Sequence, residues 1–375
     1  MNNKEKKKFK EINKKSSLIN KSTKKFKNKD PNNLQNLKEI KPNAISKNKS
    51  IIDEIWNNHL IKKNNPKFFE NYELIEFINQ GSSGGVFKIK HRIHGKILAC
   101  KISEILKKNK QEKENKEVSI HKKFHHKNIP EIYAYYQLGP QYSCMIMEIN
   151  RNGDLVDFKR KVVKRPFLSE TLTCYICGGI ITALSYLNKK NVIHMDIKQQ
   201  NILIDEYLNI KVTDFSVSLS YEKNQKFIDL PLFGTCYYMS PEVLERKKIL
   251  PEEASKIDMF SLGVLIYHLA FNDYPYNLSK IDSKNYKGIL KNILETNLEF
   301  PKKNEYSDMF KNFVKKCLEK DITKRYNIYQ AKNDPWMKGY QIILDEKENL
   351  YSVEKFLIEM IVDNIKQFKD YINNG

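Results

Sequence analysis

The chain has 375 residues and is strongly basic, with 66 Lys and Arg against 45 Asp and Glu and a formal net charge of +21. A hydrophobic content of 40% supports a folded core, and the length allows one large domain or two lobes. No run of eighteen apolar residues occurs, so we expect no membrane-spanning segment.

The charge is concentrated at the start of the chain. Residues 1–50 hold 16 lysines and four acidic residues, so +12 of the +21 lies there. This Lys-, Asn- and Ser-rich composition predicts a disordered basic arm. The arm is expected either to meet an acidic partner or a membrane surface, or to reflect a Lys/Asn bias that runs along the whole chain. Its two aromatic residues, Phe9 and Phe26, do not form an aromatic interleaving suitable for base stacking, so we predict no specific nucleic acid as a partner.

Six cysteines are scattered through apolar stretches and do not form a disulfide framework. They predict a reducing, intracellular and most simply cytoplasmic location, with nuclear or membrane-surface association through the basic arm left open. The start of the chain lacks the apolar region of a secretory signal, which agrees with that expectation. Cys174 and Cys177 form a C-x-x-C without a second pair, so we interpret them as buried helix residues and not as zinc ligands.

Strand patterns come first and helix patterns second. After a lead-in segment, 51–71, apolar residues alternate through 72–102 and predict antiparallel strands joined by a turn at "HRIHGK". A charged helical stretch at about 107–125 and a strand pair, "EIYAYYQL" with "YSCMIMEI", follow. Beyond Asp154 the patterns are helical. This order predicts an α+β protein with a small antiparallel-sheet lobe, one main helix in that lobe, and a larger helical lobe.

The last segment, 338–375, is predicted to be an amphipathic helical extension. One helical face carries Val353, Phe356, Leu357, Met360, Ile361, Ile365, Phe368 and Ile372. We interpret it as a helix added to the helical lobe, and a docking helix for a partner is the alternative.

A glycine-rich stretch, "INQGSSGGVF", lies between the first two predicted strands. It fits G-x-G-x-x-G-x-V, a loop whose backbone amides can close on phosphates, except that Asn79 takes the first glycine place ahead of Gly81, Gly84 and Val86. Downstream, Lys101 stands inside the apolar strand "LACKI", where burial requires a partner, and Glu117 is available.

Two further stretches carry the residues that phosphoryl transfer needs. "VIHMDIKQQNILI" and "KVTDFSVS" place polar residues at the ends of short apolar strands. Asp196 can accept the proton of a hydroxyl, Lys198 can offset charge on a γ-phosphate, and Asn201 with Asp214 can bind Mg²⁺.

Over residues 72–337 these motifs resemble those of the eukaryotic protein kinase family, in the family's order. The resemblance implies an N-lobe at about 72–147, a C-lobe at about 151–337, ATP as co-substrate, Mg²⁺ (or Mn²⁺) as cofactor, and protein substrates. Thr235, with Lys198, implies serine/threonine specificity.

The resemblance also implies roles for individual residues. The implied catalytic group is Asp196, Lys198, Lys101, Glu117 and Thr235, with Asn201 and Asp214 as metal ligands. The implied ATP-binding residues are Ile78, Asn79, Gln80, Gly81, Ser82, Ser83, Gly84, Gly85, Val86, Ala99, Lys101, Met147, Glu148, Asn150, Asp154 and Leu203. Glu242 is expected to pair with Arg325, and Asp258 to brace the catalytic loop.

Three positions depart from the family pattern. Met195 replaces the arginine of H-R-D, which predicts activity that does not require a phosphate bound there on the activation loop. Ser216 replaces the glycine of D-F-G and predicts a stiffer switch. His121 takes an apolar place and is either a packed neutral histidine or a pH-sensitive point. These departures prompt the alternative of a nucleotide-binding pseudokinase scaffold.

Overall fold

The first part of the fold is a five-stranded antiparallel sheet with the strand order β1-β2-β3-β5-β4. The computed structural model describes residues 55–80, 84–105, 117–302, 305–349, 352–361, 363 and 365–374. The strands are β1 (Tyr72–Gln80), β2 (Gly84–His91), β3 (Ile97–Glu104), β4 (Ile132–Leu138) and β5 (Tyr142–Met147). The predicted turn lies between β2 and β3, and residues 117–121 are helical, four residues short of the predicted end at about 125.

The lead-in segment packs onto this sheet through two short helices, α1 (His59–Asn64) and α2 (Pro66–Asn71). Phe68 of α2 is fully buried, and its ring lies 5.3 Å from Tyr136 of β4 and 5.7 Å from Tyr72 of β1. These aromatic contacts make the segment part of the small lobe.

Helices dominate the second lobe. They are α3 (Leu155–Phe158), α4 (Glu170–Lys189), α5 (Pro241–Leu244), α6 (Ala254–Phe271), α7 (Tyr286–Glu295), α8 (Asp308–Cys317) and α9 (Ile328–Lys332). Three pairs of short strands cross the lobe: β6 (Val192–Ile193) with β9 (Leu219–Ser220), β7 (Ile202–Ile204) with β8 (Ile210–Val212), and β10 (Ile228–Asp229) with β11 (Lys248–Ile249). The small sheet lobe and larger helical lobe agree with the predicted fold class.

In the part of the chain that the structure describes, two helical stretches, α4 and Pro251–Phe271, are long and apolar enough to cross a membrane by length and composition alone. Most of each is buried inside the fold. Their apolar residues belong to the core of the helical lobe, which accounts for their composition.

The prediction of one helix in the C-terminal segment is wrong. The described residues of this segment form three helices, α10 (Pro335–Asn349), α11 (Val353–Ile361) and α12 (Lys366–Asn374). The chain turns between the last two at Asp363, whose φ is +55° and whose carboxylate accepts hydrogen bonds from Thr171. The apolar face itself is confirmed, because Phe356, Met360 and Phe368 are buried in the core.

All six cysteines are free and buried, as the sequence predicts. Burial raises the pKa of Cys174 and Cys177 well above that of an exposed thiol. Both residues lie in α4 and are fully buried, which agrees with interpreting this pair as helix core.

Candidate active site

Lys101 lies inside β3 and is paired, as its apolar surroundings require. Its Nζ is 2.8 Å from Glu117 Oε1 and 3.4 Å from Asp214 Oδ1. Burial alone would lower the pKa of Lys101, but attraction to the two carboxylates more than offsets this and raises it. The predicted pairing of Lys101 with Glu117 is confirmed. The second pair, between Lys101 and Asp214, connects the small lobe to the large one.

Asp196 is the centre of a second polar network. Its Oδ1 accepts a hydrogen bond from Thr235 Oγ1 at 2.7 Å, and its Oδ2 is 2.5 Å from Lys198 Nζ. Lys198 Nζ also donates to Thr235 Oγ1 at 2.9 Å, so the three side chains form a closed triangle. Thr235 was expected here from the family resemblance alone.

A glycine permits this triangle to form. Gly234 has a φ of +109°, and a Cβ built on it would lie 2.4 Å from the carbonyl oxygen of Met195. Only glycine at position 234 therefore lets this part of the chain approach the catalytic loop at Met195 closely enough to bring Thr235 to Asp196.

Asp258 of α6 holds the backbone of the catalytic loop. Its carboxylate accepts hydrogen bonds from the backbone N–H groups of His194 at 2.8 Å and Met195 at 2.9 Å. Met195 has a left-handed φ of +70°, a costly conformation for a residue with a side chain, and these bonds help to hold it. The predicted bracing by Asp258 is confirmed.

Asn201 and Asp214 offer a donor set that fits Mg²⁺. The Asn201 amide donates to Asp196 O at 2.8 Å and to Asp196 Oδ2 at 3.0 Å, so these bonds do not use its amide oxygen. Asp214 supplies a carboxylate beside Lys101. An amide oxygen and a carboxylate, with phosphate oxygens of a nucleotide, are the ligands that Mg²⁺ prefers in such sites.

The residues predicted to enclose adenine occupy three strands of the sheet and one of the helical lobe. Ala99 of β3 pairs with Met147 of β5, and Val86 of β2 packs against the small apolar cluster to which both belong. Leu203 of β7 forms a backbone bridge with Asp154. Glu148 and Asn150 follow directly in the link between the lobes.

The glycine-rich stretch is described in part. Ile78, Asn79 and Gln80 end β1, and Gly84 and Gly85 begin β2, while Gly81, Ser82 and Ser83 lie outside the described residues. A Cβ on Gly84 would lie 2.0 Å from the Ile102 carbonyl oxygen, so glycine is needed there for strand packing as well as for any phosphate contact.

Asn79 reaches across to the helical lobe. Its Nδ2 donates to Asp154 Oδ2 at 3.4 Å, while Asp154 Oδ1 accepts from Asp157 N at 2.9 Å and caps α3. Burial raises the pKa of Asp154 to about 6.

The His121 ring packs against Phe215 at a tilted angle, with ring centroids 4.6 Å apart, and Phe215 lies 5.2 Å from His194. The His121 Nε2 atom bonds the Pro130 carbonyl at 2.8 Å. Burial lowers the pKa of His121 to about 4, so the ring is neutral near pH 7, as a packed histidine would be. Ser216 follows Phe215, and its backbone N–H donates to Asp214 at 3.4 Å.

Met195 is 4% exposed and lies in an apolar cluster, here called the Met195 cluster. Its buried members are Ile193, Met195, Ile228, Leu230, Met239, Val243, Ile249, Ala254 and Ile257, and Val217, Leu219 and Leu232 pack against them. Many of these residues belong to the activation segment, 214–242. The segment is thus anchored to the catalytic loop by apolar contacts and by the β6–β9 pair.

The predicted pair of Glu242 and Arg325 is present and buried. Arg325 donates to both carboxylate oxygens of Glu242, at 3.0 and 2.9 Å, and its guanidinium lies 5.0 Å from the Phe260 ring centroid. Such a bidentate pair fixes the end of the activation segment against α6.

One ion pair near the site was not predicted. Lys211 of β8 is 7% exposed, and its Nζ lies 2.8 Å from Glu148 Oε1 in the link between the lobes. The available signal was a lysine inside the apolar strand "IKV", the same signal that drew attention to Lys101.

The family model described as a protein kinase domain matches residues 72–337, more than half of the chain. Calcium-dependent protein kinase 4 of Plasmodium falciparum is 29% identical over 346 residues, 88% of this chain and 62% of that protein. Human serine/threonine-protein kinase tousled-like 1 is 30% identical over 308 residues, 77% of this chain and 39% of its own length. Aurora kinase of Candida glabrata is 30% identical over 311 residues, 82% of this chain and 80% of its own.

The chain therefore belongs to the protein kinase family. Proteins similar to it are named as serine/threonine kinases, and the family uses ATP and Mg²⁺. The chain spans less than two thirds of the length of the Plasmodium and human relatives.

Proposed function

We propose that this chain is an ATP-dependent protein kinase that transfers the γ-phosphoryl group to serine or threonine hydroxyls of protein substrates. The observation that carries the proposal is the triangle of Asp196, Lys198 and Thr235, with the Lys101–Glu117–Asp214 pairs beside it. Among the described residues, the proton acceptor, the two lysines and the metal-ligand pair that phosphoryl transfer requires are all present, which favours an active enzyme over a scaffold.

The chemistry assigns each residue one task. The substrate hydroxyl oxygen bonds to the γ-phosphorus, the bond from that phosphorus to the β–γ bridging oxygen breaks, and ADP leaves. Asp196 orients the hydroxyl and takes its proton, and Lys198 offsets charge on the transferred group. Lys101, held by Glu117, positions the nucleotide phosphates. Asn201 and Asp214 would hold Mg²⁺, which neutralises phosphate charge when bound.

We also propose that activity does not depend on a phosphate bound by a catalytic-loop arginine. In this chain Met195 occupies that place, and the Met195 cluster supplies apolar anchoring for the activation segment. Since burial of apolar surface stabilises the segment without any added charge, no phosphate is needed to order it at this point.

For the whole protein, an intracellular location and protein substrates are proposed. The six free, buried thiols support the location. The basic arm, residues 1–50, lies outside the described residues, and an acidic partner or membrane surface for it remains a proposal based on its charge.

The test is transfer of ³²P from γ-labelled ATP to a generic protein substrate in the presence of Mg²⁺. The wild type should transfer phosphate, and Asp196→Asn should lose about 10²- to 10⁴-fold in rate, since it removes the proton acceptor. Glu76→Gln is the matched control, because Glu76 pairs only with Lys88 on the exposed side of the sheet among the ion pairs of the described residues. A wild type that binds ATP but transfers no phosphate would favour the pseudokinase scaffold.

A further inference from the structure

The contact between Asn79 and Asp154 joins the two lobes directly. Asn79 lies near the end of β1 in the sheet, and Asp154 caps the N-terminus of α3 in the helical lobe. The Asn79 amide donates to Asp154 Oδ2 at 3.4 Å. A glycine, which the family pattern has at position 79, could not form this bond.

Backbone pairing places the two residues at one edge of the nucleotide cleft. Asn79 is the strand partner of Val86, and Asp154 is the bridge partner of Leu203. Val86 and Leu203 are the residues proposed to contact adenine from opposite lobes. Asn79 and Asp154 therefore extend those two walls and meet where the sugar of a bound nucleotide would lie.

The two oxygens of the Asp154 carboxylate accept hydrogen bonds from different parts of the molecule. Oδ1 is taken by the Asp157 backbone N–H at 2.9 Å, which caps α3, so Oδ2 is the oxygen that faces Asn79. A carboxylate oxygen accepts more than one hydrogen bond, so Oδ2 can hold the Asn79 amide and a sugar hydroxyl together. Asp154 is 8% exposed, and a buried carboxylate needs such donors.

We infer that Asn79 is a positioning residue for ribose recognition: by binding Asp154 Oδ2 it aims the carboxylate at the ribose hydroxyls of ATP and raises selectivity for ATP over deoxyribose nucleotides. The inference rests on the proposed function, because it assumes that ATP occupies this cleft. The unusual residue in the glycine-rich stretch then contributes to substrate recognition from outside the phosphate-binding part.

Calorimetric titration of the purified chain with ATP, 2′-deoxy-ATP and 3′-deoxy-ATP tests this inference. Asn79→Gly and Asn79→Ala should each weaken ATP binding by about 3- to 10-fold, the net effect of one ordinary hydrogen bond, because Asn79 acts on the nucleotide only through Asp154. The deoxy nucleotide whose missing hydroxyl meets Asp154 should lose much less. If the Asn79→Gly and Asn79→Ala variants lose the same affinity for ATP, the loss is due to the missing hydrogen bond and not to the greater backbone freedom of glycine. Glu76→Gln, the control, should bind ATP as the wild type does.

A double-mutant cycle isolates the route of the effect. Asp154→Ser keeps a residue that caps helices but removes the carboxylate, so Asn79→Gly should have no further effect in that background. The inference is overturned if Asn79→Gly weakens ATP and both deoxy nucleotides equally, or if its effect persists beside Asp154→Ser.

Titration does not require phosphoryl transfer, so the two proposals fail separately. A wild type that binds ATP with the expected ribose selectivity but transfers no phosphate would refute the kinase activity alone. A wild type that binds none of the three nucleotides would overturn both.

Discussion

Met195 and Asp196 are neighbours in the catalytic loop, yet their side chains lie in opposite environments. Asp196 is surrounded by Lys198, Thr235 and Asn201, whereas Met195 is buried among aliphatic residues of the activation segment. The polar contacts of Asp196 hold the side chains that the reaction needs. The apolar contacts of Met195 anchor the activation segment, which carries Thr235. The difference indicates that ordering and chemistry are carried by separate kinds of contact in this chain.

The strongest way to break the apolar side is Met195→Arg. In the absence of a bound phosphate the new charge would be buried without a partner, so we expect a loss of about 3–5 kcal/mol in the free energy of unfolding. Urea unfolding measures it. Met195→Leu nearly conserves volume and should cost less than about 1.5 kcal/mol. Equal stability of the Arg and Leu variants would contradict the proposed role of the cluster.

On the polar side, Thr235→Ala should act mainly on the reaction. It removes hydrogen bonds to the charged Asp196 and Lys198, worth about 1.5–3 kcal/mol, or about 10- to 100-fold in kcat. Thr235→Ser keeps the hydroxyl and should stay close to the wild type. Steady-state kinetics and urea unfolding curves, measured on the same variants, distinguish this outcome from general destabilisation, which would lower both kcat and the free energy of unfolding.

His121 puts a titratable ring beside Phe215, at a position where the family usually has an apolar residue. Its pKa is lowered to about 4 from the usual 6.5, so the unfolded chain takes up a proton that the native state refuses as pH falls. Stability should therefore fall from pH 6.5 towards pH 4, at up to about 1.4 kcal/mol per pH unit for this residue. Urea unfolding at pH 7.5 and 5.5 should show a shallower pH dependence for His121→Leu. His268, whose burial also lowers its pKa, remains in both proteins.

The smallest expected effect concerns phosphate. If apolar contacts order the activation segment, treatment of the purified protein with a phosphatase should change kcat by less than about twofold. Met195 cannot bind a phosphate group, so removing phosphate groups from the segment breaks no contact with that residue. Mass spectrometry must verify the dephosphorylation. Loss of nearly all turnover would show that a modification orders the segment after all.

The two buried lysines show how far sequence reasoning reached. Lys101 in "LACKI" was paired correctly with Glu117, because motifs on both sides gave it a context. Lys211 in "IKV" carries the same physical signal, but its partner Glu148 lies 63 residues earlier, and no local pattern connects them. Burial of a charge predicts that a partner exists, and only the folded chain identifies it.

The triangle of Asp196, Lys198 and Thr235 and the C-terminal segment also differ in how far the sequence predicts them. Short motifs predicted the residues around Asp196 because the chemistry restricts both residue type and spacing. The helical face near the end of the chain was also predicted, but the turn at Asp363 was not. Its left-handed backbone is accompanied by hydrogen bonds to Thr171, a residue on a distant helix.

The C-terminal helices also bear on where this protein can be shortened. The family match ends at residue 337, but the Phe356 ring lies 5.5 Å from Tyr175 of α4, and a Cβ on Gly178 of α4 would collide with the Tyr340 ring. A protein cut after residue 337 would put that apolar face of α4 in water. The length matched by the family model and the length that must fold together are different quantities in this chain.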